Sequence, residues 1–233
     1  MPSINNITSP LGTSLMFSTI RPGPTIVVVG GHHGDEPAGS AAAGLLASYA
    51  GTLDGSLVIV PQANPLACAL FSRFGGEGEG DLNRCYDLAE RDTDAGCEGA
   101  LHAAEFLRVV LSIAPAAQPI VTIDLHETST GHSAVPPGHA VWCYSAGESS
   151  GRLVRAADLH LQPLNEVWQA HTFMAASARR GAHAIAVETV KNGPLGARIE
   201  LQMRAVVGIA AQVGVDIQVD WQTAHARIGE ERP

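Results

Sequence analysis

The sequence predicts a single α/β domain, residues 1–233, built on a mixed, mostly parallel central sheet flanked by helices. Three observations carry this. Short apolar runs rich in β-branched residues recur near residues 25, 56, 119 and 182, and each stops at glycine, proline or a polar cluster. Segments with helical composition alternate with those runs, the order that builds βαβ units. The length of 233 residues, with 45% hydrophobic and 16% charged residues, suits one folded domain with a substantial core.

Taken in order, Thr25-Ile26-Val27-Val28-Val29-Gly30-Gly31 reads as a strand buried on both faces. Glu36-Pro37 then opens a helix over residues 38–49, with proline at the first turn and an acid just before it. Residues 56–61 form the next buried strand. Residues 72–96, dense in Gly, Asp, Glu and Arg, read as loop, and Gly75-Gly76-Glu77-Gly78-Glu79-Gly80 is its most flexible part. An amphipathic helix is expected over 100–113, strands over 119–125 and 140–144, and a helix over 149–161. A buried strand over 182–187 and a long helix over 195–213 follow. From residue 220 to 233 the chain is polar and is expected to be a loose tail.

The composition excludes some classes of function. Fourteen Lys+Arg stand against 23 Asp+Glu, a formal charge of −9, and Lys191 is the one lysine. Nucleic-acid binding needs clustered cations and is not expected. No uninterrupted apolar run is long enough to span a membrane. The N-terminus lacks the basic and apolar regions of a signal peptide. Cys68, Cys85, Cys97 and Cys143 show no CxxC spacing and read as reduced thiols, so a cytoplasmic location is expected. A homo-oligomer is compatible with all of this.

Ligands in open α/β sheets bind outside the carboxyl ends of the strands. Those ends carry the reactive residues here: His32, His33, Asp35 and Glu36 after the first run; Asp124, His126 and Glu127 after the third; Glu188 after the fourth. His33-x-x-Glu36 sets an imidazole and a carboxylate three apart, a zinc-ligand spacing, and His32-x-x-Asp35 has the same spacing. His126, held at a strand end, is the natural third ligand. Two His and one Glu leave a fourth position open, the pattern of a catalytic zinc. Asp81 and Asp124 are candidates to hold the imidazoles in one tautomer. Glu188 is placed to accept and return a proton. In Arg73 and in Asp81-Leu82-Asn83-Arg84, the arginine forks suit a carboxylate or a developing oxyanion.

Together these residues resemble the succinylglutamate desuccinylase/aspartoacylase family, which belongs with the carboxypeptidase A-like zinc hydrolases. Gly31-His32-His33-Gly34-Asp35-Glu36 is similar to its G-x-H-G-[ND]-E motif, and Asn64-Pro65-x-Ala67, Arg73 and Asp81-Leu82-Asn83-Arg84 to its NPxA…R…DLNR segment. Asp124-Leu125-His126 resembles its DLH motif, and Ala186-Val187-Glu188 its catalytic glutamate strand. The resemblance implies a zinc carboxypeptidase-like fold and one Zn²⁺ per chain on His33, Glu36 and His126, with His33 rather than His32 as ligand. It implies Glu188 as general base and acid, and Arg73 as the group that polarises the scissile carbonyl. It implies Asn83 and Arg84 as binders of the substrate carboxylate, and Asp81 as the residue orienting an imidazole.

Asp35 departs from the commoner Asn, and a Gly/Glu-rich stretch separates Arg73 from Asp81. The larger deacylases continue into a further C-terminal β-rich domain. About forty-five residues follow Glu188 here, so the catalytic domain alone is expected. The activity implied is hydrolysis of an amide bond next to a free carboxylate, on an N-acyl amino acid. A zinc carboxypeptidase acting on small peptides is the alternative, and a non-catalytic zinc-containing binding protein is the alternative from another class.

Overall fold

A computed structural model describes residues 3–9, 12–19, 22–52, 54–75, 80–87, 102–103, 105–106, 110, 120–129, 140–144, 152–153, 155, 160–162 and 170–229. Its central sheet has eight strands: β1 (Ser3–Ser9), β2 (Gly12–Thr19), β3 (Thr25–Gly30), β5 (Ser56–Val60), β6 (Ile120–Thr128), β7 (Ala140–Cys143), β8 (His160–Gln162) and β9 (His183–Val190). The spatial order is β1-β2-β5-β3-β6-β9-β7-β8. The middle four, β5-β3-β6-β9, are parallel. Antiparallel pairings of β2 on β5 and of β7 on β9 make the sheet mixed, as expected. A small second sheet pairs β4 (Ala50–Thr52) with β10 (Ile217–Val219).

The parallel strands are apolar on both faces because both faces are covered. Ile26, Val28, Leu57, Ile59, Ile123, Leu125, Ile185 and Val187 form one core with α1 (Pro37–Tyr49) and with the long helix over Leu195–Gln212. Val27, Val29, Val58, Val60, Ala184 and Ala186 face a second core that holds Tyr86, Phe106, Phe173 and Met174. Burying each such Val or Ile contributes roughly 1.5–3 kcal/mol.

The helices whose ends lie among the described residues are α1, α2 (Pro65–Leu70), α3 (Phe173–Arg179), α4 (Leu195–Gln212) and α5 (Trp221–Ile228). Asn64 caps α2, its side chain accepting the Ala67 N–H at 3.0 Å, with Pro65 in the first turn. A 3₁₀ turn, Leu82–Arg84, lies inside the segment expected to be loop, capped by Asp81. Residues 102–103, 105–106 and 110 are helical, in line with the helix expected over 100–113; the rest of that stretch lies outside the described residues. Of the helix expected over 149–161, residues 152, 153 and 155 are helical and 160 begins β8. Gly76 to Glu79 of the Gly/Glu-rich stretch also lie outside the described residues.

Two differences from the sequence reading have a physical cause. β1 and β2 pair antiparallel and extend the sheet edge beyond β5. The tail expected to be loose from residue 220 instead forms α5. The Asp220 side chain accepts the Thr223 N–H at 3.1 Å, and Ala224 is buried. Trp221 and Ile228 pack on the first core, and the Arg204 guanidinium lies 4.6 Å from the Trp221 ring centroid. Residues 230–233 lie outside the described residues.

The strand order positions the site. The chain leaves β3, crosses through α1 to β5 on one side, and returns as β6 on the other side of β3. Beyond the carboxyl ends of β3 and β6 lies the crevice of such a switch point.

Candidate metal and catalytic site

The period of two along β6 turns Ile123 and Leu125 into the first core and sends Thr122, Asp124 and His126 to the opposite face. On β9, Ala184, Ala186 and Glu188 take that same face, and His126 stands in register with Glu188. The loop after β3 supplies His32, His33 and Glu36. Two glycines shape it. Gly31 has φ +69°, a conformation that favours glycine, and a Cβ on Gly34 would lie 1.8 Å from the Ala67 carbonyl oxygen. The Gly34 N–H donates to the Ser72 carbonyl at 2.8 Å, locking this loop against the end of α2.

The three expected ligands meet here. His33 Nδ1 lies 2.8 Å from Glu36 Oε1, and His126 Nδ1 lies 2.8 Å from Glu36 Oε2. All three residues are at most 4% exposed. The far nitrogen of each ring is held by a carboxylate: His33 Nε2 is 2.9 Å from Asp81 Oδ1, and His126 Nε2 is 2.8 Å from Asp124 Oδ2. Glu36 Oε2 also accepts the Glu127 N–H at 2.9 Å. Two imidazoles and a carboxylate turned toward one point, each imidazole backed by an acid, make a donor set suited to Zn²⁺.

The electrostatics agree. Burial opposes charge on His33, yet Glu36 and Asp81 outweigh it and raise its pKa. Burial likewise opposes charge on His126, and Asp124 and Glu36 carry its pKa well above the usual range. Burial would lift Glu36, but His33 and His126 hold it well below the usual carboxylate range. Asp81 and Asp124 are also depressed: burial is overcome by His33 and Arg73 at the first, and by His126 and His32 at the second. Buried carboxylates thus pull protons onto both imidazoles. A dication at this point would take the place of those protons.

His32, Asp124 and His126 form a second group with metal-ligand reach. In that group both Asp124 oxygens are already taken by the two imidazoles, at 2.8 Å each.

Arg73 lies beside Asp81 and Glu36. Its Nη2 and Nε donate to Asp81 Oδ2 at 2.7 and 3.1 Å, and its Nη1 to Glu36 Oε1 at 3.3 Å. Arg84 donates from Nη1 to the Asn83 carbonyl at 2.8 Å. Asn83 is turned inward: its Oδ1 accepts the Phe173 N–H at 2.9 Å, and its Nδ2 lies 3.0 Å from His126 Nε2. In this geometry the Asn83 amide braces the site, which differs from the carboxylate-binding role implied by the resemblance. Burial pushes the Glu188 carboxyl up to about 7; His126 opposes the rise and Glu36 adds to it. Asp35 accepts from Lys191 Nζ at 3.0 Å, tying the β3 loop to the end of β9.

Sequence reasoning assigned no role to several residues around the site. Glu127 Oε2 accepts the Ala38 N–H at 2.8 Å and pairs with Arg198 through Oε1. Gln202, one turn after Arg198, donates to the His126 carbonyl at 2.9 Å and to Thr189 Oγ1 at 2.8 Å. Their only sequence signal was a polar pair one turn apart on an otherwise amphipathic helix. Tyr86 carried no readable spacing, and His32, whose spacing to Asp35 matched that of His33 to Glu36, is instead bonded to Tyr86 at 2.8 Å.

Residues 22–211 match the family model of the succinylglutamate desuccinylase/aspartoacylase catalytic domain. No curated protein matches by sequence. Among solved structures, product-bound cell shape determinant protein Csd4 from Helicobacter pylori superposes with a TM-score of 0.75 at 17% identity, over 93% of this chain and 60% of that one. A succinylglutamate desuccinylase/aspartoacylase from Rhodobacter sphaeroides gives 0.68 at 18% identity, over 93% and 66%. The product-bound ectoine utilization protein EutE (DoeB) from Ruegeria pomeroyi gives 0.68 at 20%, over 93% and 68%. At these identities the likeness establishes the fold. This chain spans about 60% of the Csd4 length.

Proposed function

This chain belongs to the succinylglutamate desuccinylase/aspartoacylase catalytic-domain family, and from that premise we propose that it is a zinc-dependent hydrolase of an amide bond next to a free carboxylate, acting on an N-acyl amino acid. The observation that carries this reading is the meeting of His33 Nδ1, His126 Nδ1 and Glu36, with Asp81 and Asp124 behind the rings and Glu188 beside His126. His33, Glu36 and His126 would hold the zinc ion. When bound, it supplies a Lewis acid for the scissile carbonyl and acidifies a water molecule.

The chain's own residues do the rest. Glu188, with a carboxyl lifted to about 7, accepts the proton of the attacking water and returns it to the leaving nitrogen. Arg73, anchored on Asp81, presents its guanidinium at the oxyanion, a kind of stabilisation worth on the order of 10²–10³ per donor. Arg84 offers a planar fork to the substrate carboxylate. Asp81 and Asp124 keep both imidazoles in one orientation.

A second reading, a carboxypeptidase acting on small peptides, is supported by one observation: Csd4, described as a D,L-carboxypeptidase and solved with a tripeptide, has this fold. The chemistry at the bond is the same, and the two readings differ in what lies across it.

The test is direct. Purified protein should contain one zinc per chain, lose activity to a chelator and regain it with Zn²⁺. A panel of N-acyl amino acids and short peptides should show turnover mainly on the acyl amino acids. Glu188→Gln should keep its zinc and lose turnover by at least about 100-fold. A Glu188→Gln protein with full turnover would remove Glu188 from the mechanism, and full zinc occupancy without activity on any amide or ester would favour a binding protein.

A further inference from the structure

His32 is fully enclosed. Its ring lies among Tyr86, Phe106 and Phe173, with centroids 5.7, 5.9 and 5.5 Å away, and is stacked 5.8 Å from the His126 ring. A phenylalanine or leucine would suit such apolar walls without the cost of burying two ring nitrogens. Both nitrogens are instead satisfied. Nδ1 lies 2.8 Å from Asp124 Oδ1, and Nε2 lies 2.8 Å from the Tyr86 hydroxyl. Asp124 divides its oxygens, Oδ1 to His32 and Oδ2 to His126 at 2.8 Å.

The donors and acceptors in this chain can be ordered. A buried carboxylate only accepts, so His32 carries its proton on Nδ1 and donates to Asp124. Its Nε2 is then a bare lone pair, and the Tyr86 O–H donates to it. On its other side Asp124 accepts from His126 Nε2, so the proton that His126 Nδ1 turns toward Glu36 is the one a metal would displace. The direction of both His32 bonds follows from the Tyr86 hydroxyl on one side and the acid on the other. With both of its nitrogens bonded in a buried network, His32 is held in one arrangement.

We propose that His32 is a positioning residue that, held by Tyr86 and acting through Asp124, fixes the tautomer and orientation in which His126 presents Nδ1 to the metal. This rests on the reading of His126 as a zinc ligand. It extends the support of that ligand by two residues, His32 and Tyr86, and it accounts for the His32-His33 pair: one imidazole toward the metal, one behind the acid that holds the other ligand.

The test compares the wild type with His32→Asn, His32→Leu and Tyr86→Phe. Asparagine carries an N–H donor where Nδ1 stands and can still bond Asp124, whereas leucine cannot. Zinc affinity, measured by competition with a chromophoric chelator, should fall about 10–100-fold in His32→Leu. It should stay within about threefold of wild type in His32→Asn, and fall less in Tyr86→Phe than in His32→Leu, since a hydroxyl two bonds further out acts more weakly. Ring ¹⁵N shifts of the metal-free wild type should show His32 protonated on Nδ1 alone. Equal losses in Asn and Leu variants would overturn the proposal as a matter of packing, and unchanged affinity in both would overturn it outright. A His32 protonated on Nε2, or two zinc ions per chain, would do the same. If His32→Leu does not fold, the asparagine and phenylalanine variants and the ring shifts still decide. If the wild type takes up no zinc at all, the hydrolase reading fails, and a His32 proton found on Nε2 would overturn the relay separately.

Discussion

The two glycines flanking the His32-His33 pair set the position of two proposed ligands, and Gly34→Ala tests this without any knowledge of substrate. A Cβ at residue 34 would stand 1.8 Å from the Ala67 oxygen, 2.2 Å from its carbonyl carbon and 2.6 Å from the Cys68 nitrogen. Real Cβ contacts essentially never fall below 3.0 Å, so the loop and the end of α2 must separate by about 1.2 Å. All three obstacles are backbone, so no side-chain rotation relieves them. The Gly34 to Ser72 hydrogen bond at 2.8 Å spans the same gap and would stretch with it. Overpacking of this kind costs about 1–3 kcal/mol. For a domain of this size a loss of that order lowers Tm by about 2–12 °C. The more specific effect is on the site. His33 flanks the altered residue and Glu36 follows it, while His126 sits on β6 and does not move with them. A shift of about 1 Å between ligands should weaken zinc binding and reduce turnover about 100-fold. Differential scanning fluorimetry with chelator, zinc titration and steady-state turnover together read this out. A Gly34→Ala protein with wild-type Tm and wild-type zinc affinity would refute the argument that this close approach sets the ligand geometry.

Other perturbations follow from the same contacts. Asp81→Asn keeps the size of the side chain but removes the charge that bonds His33 Nε2 and Arg73, so zinc affinity should drop about 10–100-fold in a chelator competition. Arg198→Met should destabilise the fold by about 3–5 kcal/mol in urea titration, because Glu127, with no exposed side-chain surface, would keep its charge without its partner; a loss below about 1 kcal/mol would show that the pair is dispensable. The pH dependence of turnover depends on Glu188. Burial favours its neutral form and lifts its pKa to about 7, so below that pH it is protonated and cannot act as base. Turnover should therefore rise with pH, with a midpoint near 7 or lower, since a bound dication favours the ionised form. The stability of the metal-free protein has the opposite trend for this one group. A raised carboxyl pKa contributes stability that is full below the unfolded value and is lost as pH rises through about 7. Glu188→Gln should remove that portion of the pH dependence in thermal melts.

Much of the architecture was legible because its causes are local. Strands apolar on both faces, such as Thr25–Gly30 and Ser56–Val60, can only sit inside a covered sheet, and their residues carry that requirement themselves. Helix α5 was missed although its signals are present. Asp220 is a capping residue, and Trp221, Ala224 and Ile228 repeat at helical spacing, but a short amphipathic helix of about two turns is marginal until a core exists for it to cover. The β1–β2 pair was missed for a related reason: an edge strand is defined by the neighbour it pairs with, and β5 lies some forty residues further along the chain.

The site divides along the same line. The sequence by itself determined which groups are available and which of them share a turn or a strand face. His33 and Glu36 are three residues apart, Asp124 and His126 two apart on one face of β6, and Glu188 ends an apolar strand. Spacing of that kind is enforced by backbone geometry alone. The tertiary structure decided the partnerships: that Asp124 serves both His126 and His32, that Tyr86 caps His32, that Asn83 faces inward to Phe173, and that Arg198 and Gln202 of α4 brace β6 from below. Those contacts join residues separated by as many as 92 positions, and they exist because the β3–β6–β9 register brings the strand ends level. A hydrogen bond needs its partners within about 3 Å, a tolerance that local sequence pattern cannot specify across such distances and that a packed, parallel sheet does.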